Sequence, residues 1–165
     1  MLFRSEDVTI VGPIKPRLKI ASTGTDSDFV VKLIDVFPED YKDPDEEKEG
    51  KRVTAAPPVV MEGYQMLVRG EPFRGKFRNS FEKPEPFVPN QPTAINFDLP
   101  DINHTFRHGH RIMIQIQSSW FPLTDRNPQK FINILEATPA DFQKATERIY
   151  HSQQNPSTIV LPILK

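Results

Sequence analysis

The chain has 165 residues and a formal charge of −1, with 17 prolines, 12 phenylalanines, one tryptophan and no cysteine. That length suits one domain with a two-layer core, and near-neutrality provides no long-range field for nucleic acid or acidic lipid. Without cysteine there is no disulfide, no thiol nucleophile and no thiolate metal site, and the compartment stays open.

Met1-Leu2-Phe3 runs directly into Arg4-Ser5-Glu6-Asp7, which is not a signal-peptide pattern. No apolar run approaches the roughly 18 residues of a membrane span. Strand-like sequence begins within the first ten residues, so we expect a segment of a longer chain. Residues 8–11 are β-branched and stop at Gly12-Pro13. Residues 14–21 alternate, with Ile14, Leu18 and Ile20 opposite Lys15, Arg17 and Lys19. Residues 29–37 are apolar on both faces except for Lys32 and Asp35, which predicts a central strand covered on two sides. Residues 39–51 form a charged run broken by Pro44 and closed by Gly50, a solvated loop. Asp43, Asp45, Glu47 and Glu49 resemble a calcium loop only in acidity, because Pro44 and Gly50 are misplaced for the EF-hand turn.

Residues 59–69 resume β character, with Tyr64, Met66 and Val68 in register. Residues 73–87 carry Phe73, Phe77, Phe81 and Phe87 among Arg74, Lys76, Arg78 and Lys83, at a spacing that sustains neither helix nor strand. A long ordered connection is predicted, its rings packed into the core with arginines over them rather than stacking bases or sugars. Residues 93–99 alternate again through Ile95, Phe97 and Leu99.

From Arg111 the pattern has period two: Ile112, Ile114 and Ile116 share one face, and Arg111, Gln115 and Gln117 the other. Trp120-Phe121-Pro122 follows, where small polar turn residues are usual. The two rings are either core or a docking edge for a second protein mass. Asp125-Arg126-Asn127-Pro128 is a compact polar turn that either satisfies itself or bridges to a partner. Thr138-Pro139-Ala140-Asp141 reads as an N-cap with proline at the first helical position, predicting one or two helical turns through residue 144. Residues 145–151 and 158–163 close the chain as strands, the second at an edge because it contains Pro162. About eight short strands with long crossings and almost no helix make the class all-β, a β-sandwich and among sandwiches a jelly roll, as a single domain over 1–165.

Catalytic and metal chemistry find little support. Ser118-Ser119 lacks the glycine-flanked elbow that exposes a nucleophile. His104, His108 and His110 invite a metal, but Gly109 and the neighbouring strand deny the helix that His104 and His108 would need. On a strand His108 and His110 share a face without a third ligand nearby. Turn histidines with ordinary hydrogen bonds are expected, and no catalytic, metal or cofactor residue is assigned.

Three stretches taken together carry a resemblance. The first runs from Thr23-Gly24-Thr25-Asp26-Ser27-Asp28-Phe29 to Phe37-Pro38. The second runs from Gly109-His110-Arg111-Ile112 through Ser118-Ser119-Trp120-Phe121-Pro122 to Asp125-Arg126-Asn127-Pro128. The third joins Ile149-Tyr150-His151, Pro156-Ser157 and Ile159-Val160-Leu161-Pro162-Ile163. They resemble the C-terminal domain of the X-Pro dipeptidyl-peptidase, cocaine esterase and glutaryl-7-aminocephalosporanic acid acylase (α-amino-acid ester hydrolase) family of serine hydrolases.

The resemblance spans essentially the whole chain and implies a jelly-roll, galactose-binding-domain-like sandwich. It also implies a preceding α/β-hydrolase domain in the same parent chain, which holds the Ser-Asp-His triad and oxyanion hole. No triad position maps onto this sequence. The implied parent cleaves esters or amides, while this domain packs on the catalytic one and helps wall its substrate cleft. Trp120, Phe121, Pro122, Asp125, Arg126 and Asn127 are the residues expected at that interface. Self-association of the parent stays open, and neither nucleic acid nor membrane is expected as a partner. The alternative is a carbohydrate-binding module, since jelly rolls present aromatics to sugars.

Overall fold

The computed structural model describes residues 2–3, 6–41 and 60–165. Ten strands run through them: β1 (Leu2–Phe3), β2 (Val8–Gly12), β3 (Lys15–Ser22), β4 (Asp28–Val36), β5 (Gln65–Arg74), β6 (Thr93–Asn96), β7 (Ile102–Phe106), β8 (Arg111–Gln117), β9 (Glu147–Ile149) and β10 (Thr158–Val160). The acidic run at 43–49 lies outside the described residues. One sheet has the order β1-β8-β4-β5; a second has the order β10-β3-β6, with β9 also on β3; β2 and β7 form a ribbon of their own. All the pairings are antiparallel. The all-β sandwich is thereby established.

Position in the sheet follows from composition. β4 lies between β5 and β8 and is buried on both faces apart from Lys32, as its doubly apolar sequence predicts. Phe29, Val31 and Leu33 point inward from β4, and Ile112, Ile114 and Ile116 of β8 join them, in register with Asp35, Leu33 and Val31. Leu18 and Ile20 of β3, Ile95 of β6, Ile10 of β2 and Phe106 of β7 complete the core from the opposing strands. Each of these branched or aromatic side chains contributes roughly 1.5–3 kcal/mol on burial.

Three differences from the sequence reading have local causes. β5 does not end at residue 69 but runs on to Arg74, with a register shift opposite Leu33 and Ile34. It is an edge strand, so Pro72 and Gly70 within it interrupt no second ladder. β7 was not foreseen: Ile102, His104 and Phe106 do alternate inward, but the central histidine masks the apolar pattern. Finally, Thr138 and Asp141 form the capping box over Pro139–Asp141, yet the turn is a single 3-10 turn and Phe142 is already extended.

The last strand stops at Val160 and sits at a sheet edge, as Pro162 requires. Of the four foreseen phenylalanines, Phe87 is buried beneath the Arg78 guanidinium, 4.9 Å from its ring centroid, whereas Phe81 is 80% exposed. No helix among the described residues is long and apolar enough to cross a membrane.

Candidate functional site

β8 delivers the chain at Gln117 into a long loop that caps one end of the sandwich. Trp120 folds back onto its own sheet. A Cβ on Gly70 would stand 2.7 Å from its Cη2 and 2.8 Å from its Cζ3, and the Lys32 ammonium lies 4.2 Å from its ring centroid. Glycine at 70 is what lets the indole lie flat, and the ammonium gains a cation–π contact. Gly70→Ala is therefore expected to displace Trp120 and destabilise the domain by about 1–3 kcal/mol. Trp120 is the one tryptophan in the 165 residues, so the domain's emission spectrum reports this directly. A red shift is the expected outcome; an unchanged spectrum would mean the ring does not depend on Gly70.

Beyond Trp120 the loop is apolar and open. Phe121 is 63% exposed and Leu123 66%, and Leu135 and Phe142 stand exposed nearby. The Arg126 guanidinium lies 5.3 Å from the Phe121 ring and 5.7 Å from that of Phe142. Phe121, Arg126, Leu135 and Phe142, with Asp125 and Ile134, line a shallow hollow of about 310 Å³. Pro122 is exposed as well, and Asp125 is 3.9 Å from Arg74. Asn127 is different: it is buried, donates from Nδ2 to Asp28 Oδ1 at 2.8 Å, and accepts from the Gln129 amide at 2.8 Å. So four of the six residues expected at an interface, Phe121, Pro122, Asp125 and Arg126, lie on the surface together. Trp120 and Asn127 hold them from beneath.

Under the loop lies a group that the sequence did not single out. Asp26, Ser27 and Asp28 are all buried. Ser27 donates from Oγ to Glu147, and its amide donates to Asp26 Oδ1 at 2.9 Å. Asp26 Oδ2 has no hydrogen-bond partner among the described residues and faces the Lys76 ammonium at 3.9 Å. Arg74 stands 3.9 Å from Asp28. With its amide turned to suit its neighbours, Gln129 donates to Glu147 at 3.0 Å. Burial raises all three carboxyls above their usual range, Asp28 to about 6, against the opposing hydrogen bonds and cations. The loop is tied to this base by its backbone too, since the Thr25 amide donates to Gln129 O at 3.1 Å and the Phe131 amide to Thr25 Oγ1 at 2.9 Å.

The histidines lie at the other end of the sheet. His104 Nε2 and His110 Nδ1 meet the two oxygens of Asp35 at 2.9 and 2.8 Å. The sequence paired His108 with one neighbour or the other; the structure instead joins 104 to 110, and His108 donates its backbone amide to Asp7. Ser118 and Ser119 follow the far end of β8, about 26 Å of strand away from His110. Among the described residues neither Ser118 nor Ser119 shares a hydrogen bond with a histidine.

Residues 5–160 match the family described as the X-Pro dipeptidyl-peptidase C-terminal non-catalytic domain. The chain belongs to that family. It is 29% identical over 161 residues to cocaine esterase from Rhodococcus sp. (strain MB1 Bresler), covering 98% of this chain and 24% of the esterase. Among solved structures it is similar to an α-amino acid ester hydrolase, with 44% identity and a TM-score of 0.85 over 99% of this chain and 24% of that one. It is also similar to an aminopeptidase from a marine sediment archaeon, Thaumarchaeota archaeon, with 36% identity and a TM-score of 0.87 over 100% of this chain and 25% of that one. The chain thus spans about a quarter of each relative's length. The family match lends no support to the carbohydrate-module alternative.

Proposed function

We propose that this domain is the accessory C-terminal β-sandwich of a serine hydrolase that acts on esters, amides or peptides. It packs on an α/β-hydrolase domain of the same polypeptide and helps wall the substrate cleft. The observation that carries this reading is that the whole non-catalytic fold aligns with only 24% of an esterase, which leaves the reactive machinery elsewhere in such a chain. The exposed cluster of Phe121, Arg126 and Phe142 supports it, because aromatic rings with an interleaved arginine are enriched in buried interface centres. Phe121, Pro122, Asp125 and Arg126 make the contact, and Trp120 and Asn127 set the loop's shape. Reading the gene upstream of this segment tests the assignment: it should encode a G-x-S-x-G elbow followed by an aspartate and a histidine. A gene with no such elbow overturns it.

A further inference from the structure

The last turn of β5 and the loop after it build a second apolar feature. Phe73 and Phe97 stack with centroids 4.7 Å apart and planes within 10°, forming a floor between β5 and β6. Phe81 stands 6.4 Å from Phe73 and 6.1 Å from Phe77. The groove these rings line has a volume of about 470 Å³. Phe81 is 80% exposed, yet the loop that carries it is well fastened. Arg78 donates to the carbonyls of Glu85 at 2.7 Å and Pro86 at 2.9 Å. The Glu85 amide donates to Lys76 O at 2.9 Å, and Ser80 Oγ accepts from the amides of Glu82 and Lys83. A loop this constrained presents its ring to solvent in a fixed position, which lowers the ordering cost of covering it.

We propose that this groove is a second docking surface, filled by an apolar side chain from the catalytic part of the full-length chain. The inference rests on the function proposed above. Two observations select this occupant. Relatives carry about three quarters of their length outside this fold, so a covering partner is supplied in the same polypeptide at high effective concentration. The segment bearing the groove is also tied to the Phe121 loop: Lys76, 5.6 Å from the Phe77 ring, donates to Ile132 O at 3.2 Å, and Arg74 lies 3.9 Å from Asp125. One body resting on that end of the sandwich therefore meets both features.

The test uses the full-length protein and single substitutions at exposed positions of a cysteine-free domain. Phe81→Cys, Phe121→Cys and, as a freely exposed control, Gln153→Cys are labelled with a maleimide, and the labelled peptides are identified by mass spectrometry. The thiols introduced at 81 and 121 are expected to react at least about tenfold more slowly than that at 153, with rates unchanged over a hundredfold protein dilution. Rapid labelling at 81 with protection at 121 overturns the groove proposal and leaves docking through the loop standing. Rapid labelling at both overturns both. Protection at 81 alone keeps the groove and removes the loop from the interface. Protection at 81 that disappears on dilution identifies a second copy of the chain as the occupant, and protection lost on exhaustive dialysis identifies a small ligand. Either result overturns the proposal.

Discussion

Asp35→Ala is expected to lower the unfolding free energy of the domain by about 3–5 kcal/mol. Asp35 is 2% exposed and projects from the inner face of β4. There it accepts from His104, on β7 across the core, and from His110, at the entry to β8. One carboxylate therefore links the large sheet to the β2–β7 ribbon. Removing it leaves two imidazole N–H groups without an acceptor, one on the 5%-exposed side chain of His110. Each orphaned buried group costs about 1–3 kcal/mol, and the cavity adds to that. Phe37, packed 4.5 Å from the His110 ring centroid, prevents simple rotation of the imidazole toward water. Urea denaturation measures the loss. Asp35→Asn, which keeps one acceptor, is expected to fall between wild type and alanine. A loss below about 1 kcal/mol for alanine would mean that the clamp is dispensable.

Stability is also expected to fall as the pH rises between about 4 and 6, and Asp28 is the cause. Its carboxyl titrates near 3.8 in an unfolded chain and at about 6 in the fold, because burial disfavours the carboxylate more than Asn127 and Arg74 favour it. The folded state therefore holds this proton more tightly. Its contribution is complete below pH 3.8 and is lost as the pH passes through 6. The two values differ by about 2 units, or about 3 kcal/mol. At 5% exposure, Asp28 is screened little by solvent. Asp26 and Glu147 are raised as well and act in the same direction. Asp28→Asn keeps the shape and loses the charge. The difference between wild-type and variant denaturation curves should change by about 3 kcal/mol from pH 3.5 to pH 7, with the variant the more stable at pH 7. Parallel curves would mean that Asp28 ionises in the fold as freely as in solvent.

Much of the architecture was legible because the chain is locally consistent. The doubly apolar stretch at β4, the clean alternation of β3 and β8, and the Thr138 cap each state their environment in a few residues. What escaped notice depends on partners distant in sequence. β7 is recognisable only once His104 is known to point inward toward Asp35, 69 positions earlier. The acid group beneath the loop combines Asp26 and Asp28 with Glu147 and Lys76, and no local period announces such an assembly. The two rings at Trp120-Phe121 part company: the indole lies on its own sheet over a glycine, while the phenyl ring is exposed. The signal for the first was Gly70, which in an edge strand marks close approach by a large side chain.

Ester turnover by the full-length chain tests most directly whether this fold assists chemistry performed elsewhere. Wild type, an alanine substitution at the serine of the upstream elbow, and the double variant Ser118→Ala/Ser119→Ala are compared on a p-nitrophenyl ester. The elbow variant is expected to lose at least about a thousandfold in turnover, and the double variant to remain within about twofold of wild type. The reverse result, with turnover abolished in the double variant and retained in the elbow variant, would place the nucleophile inside the sandwich and contradict the account.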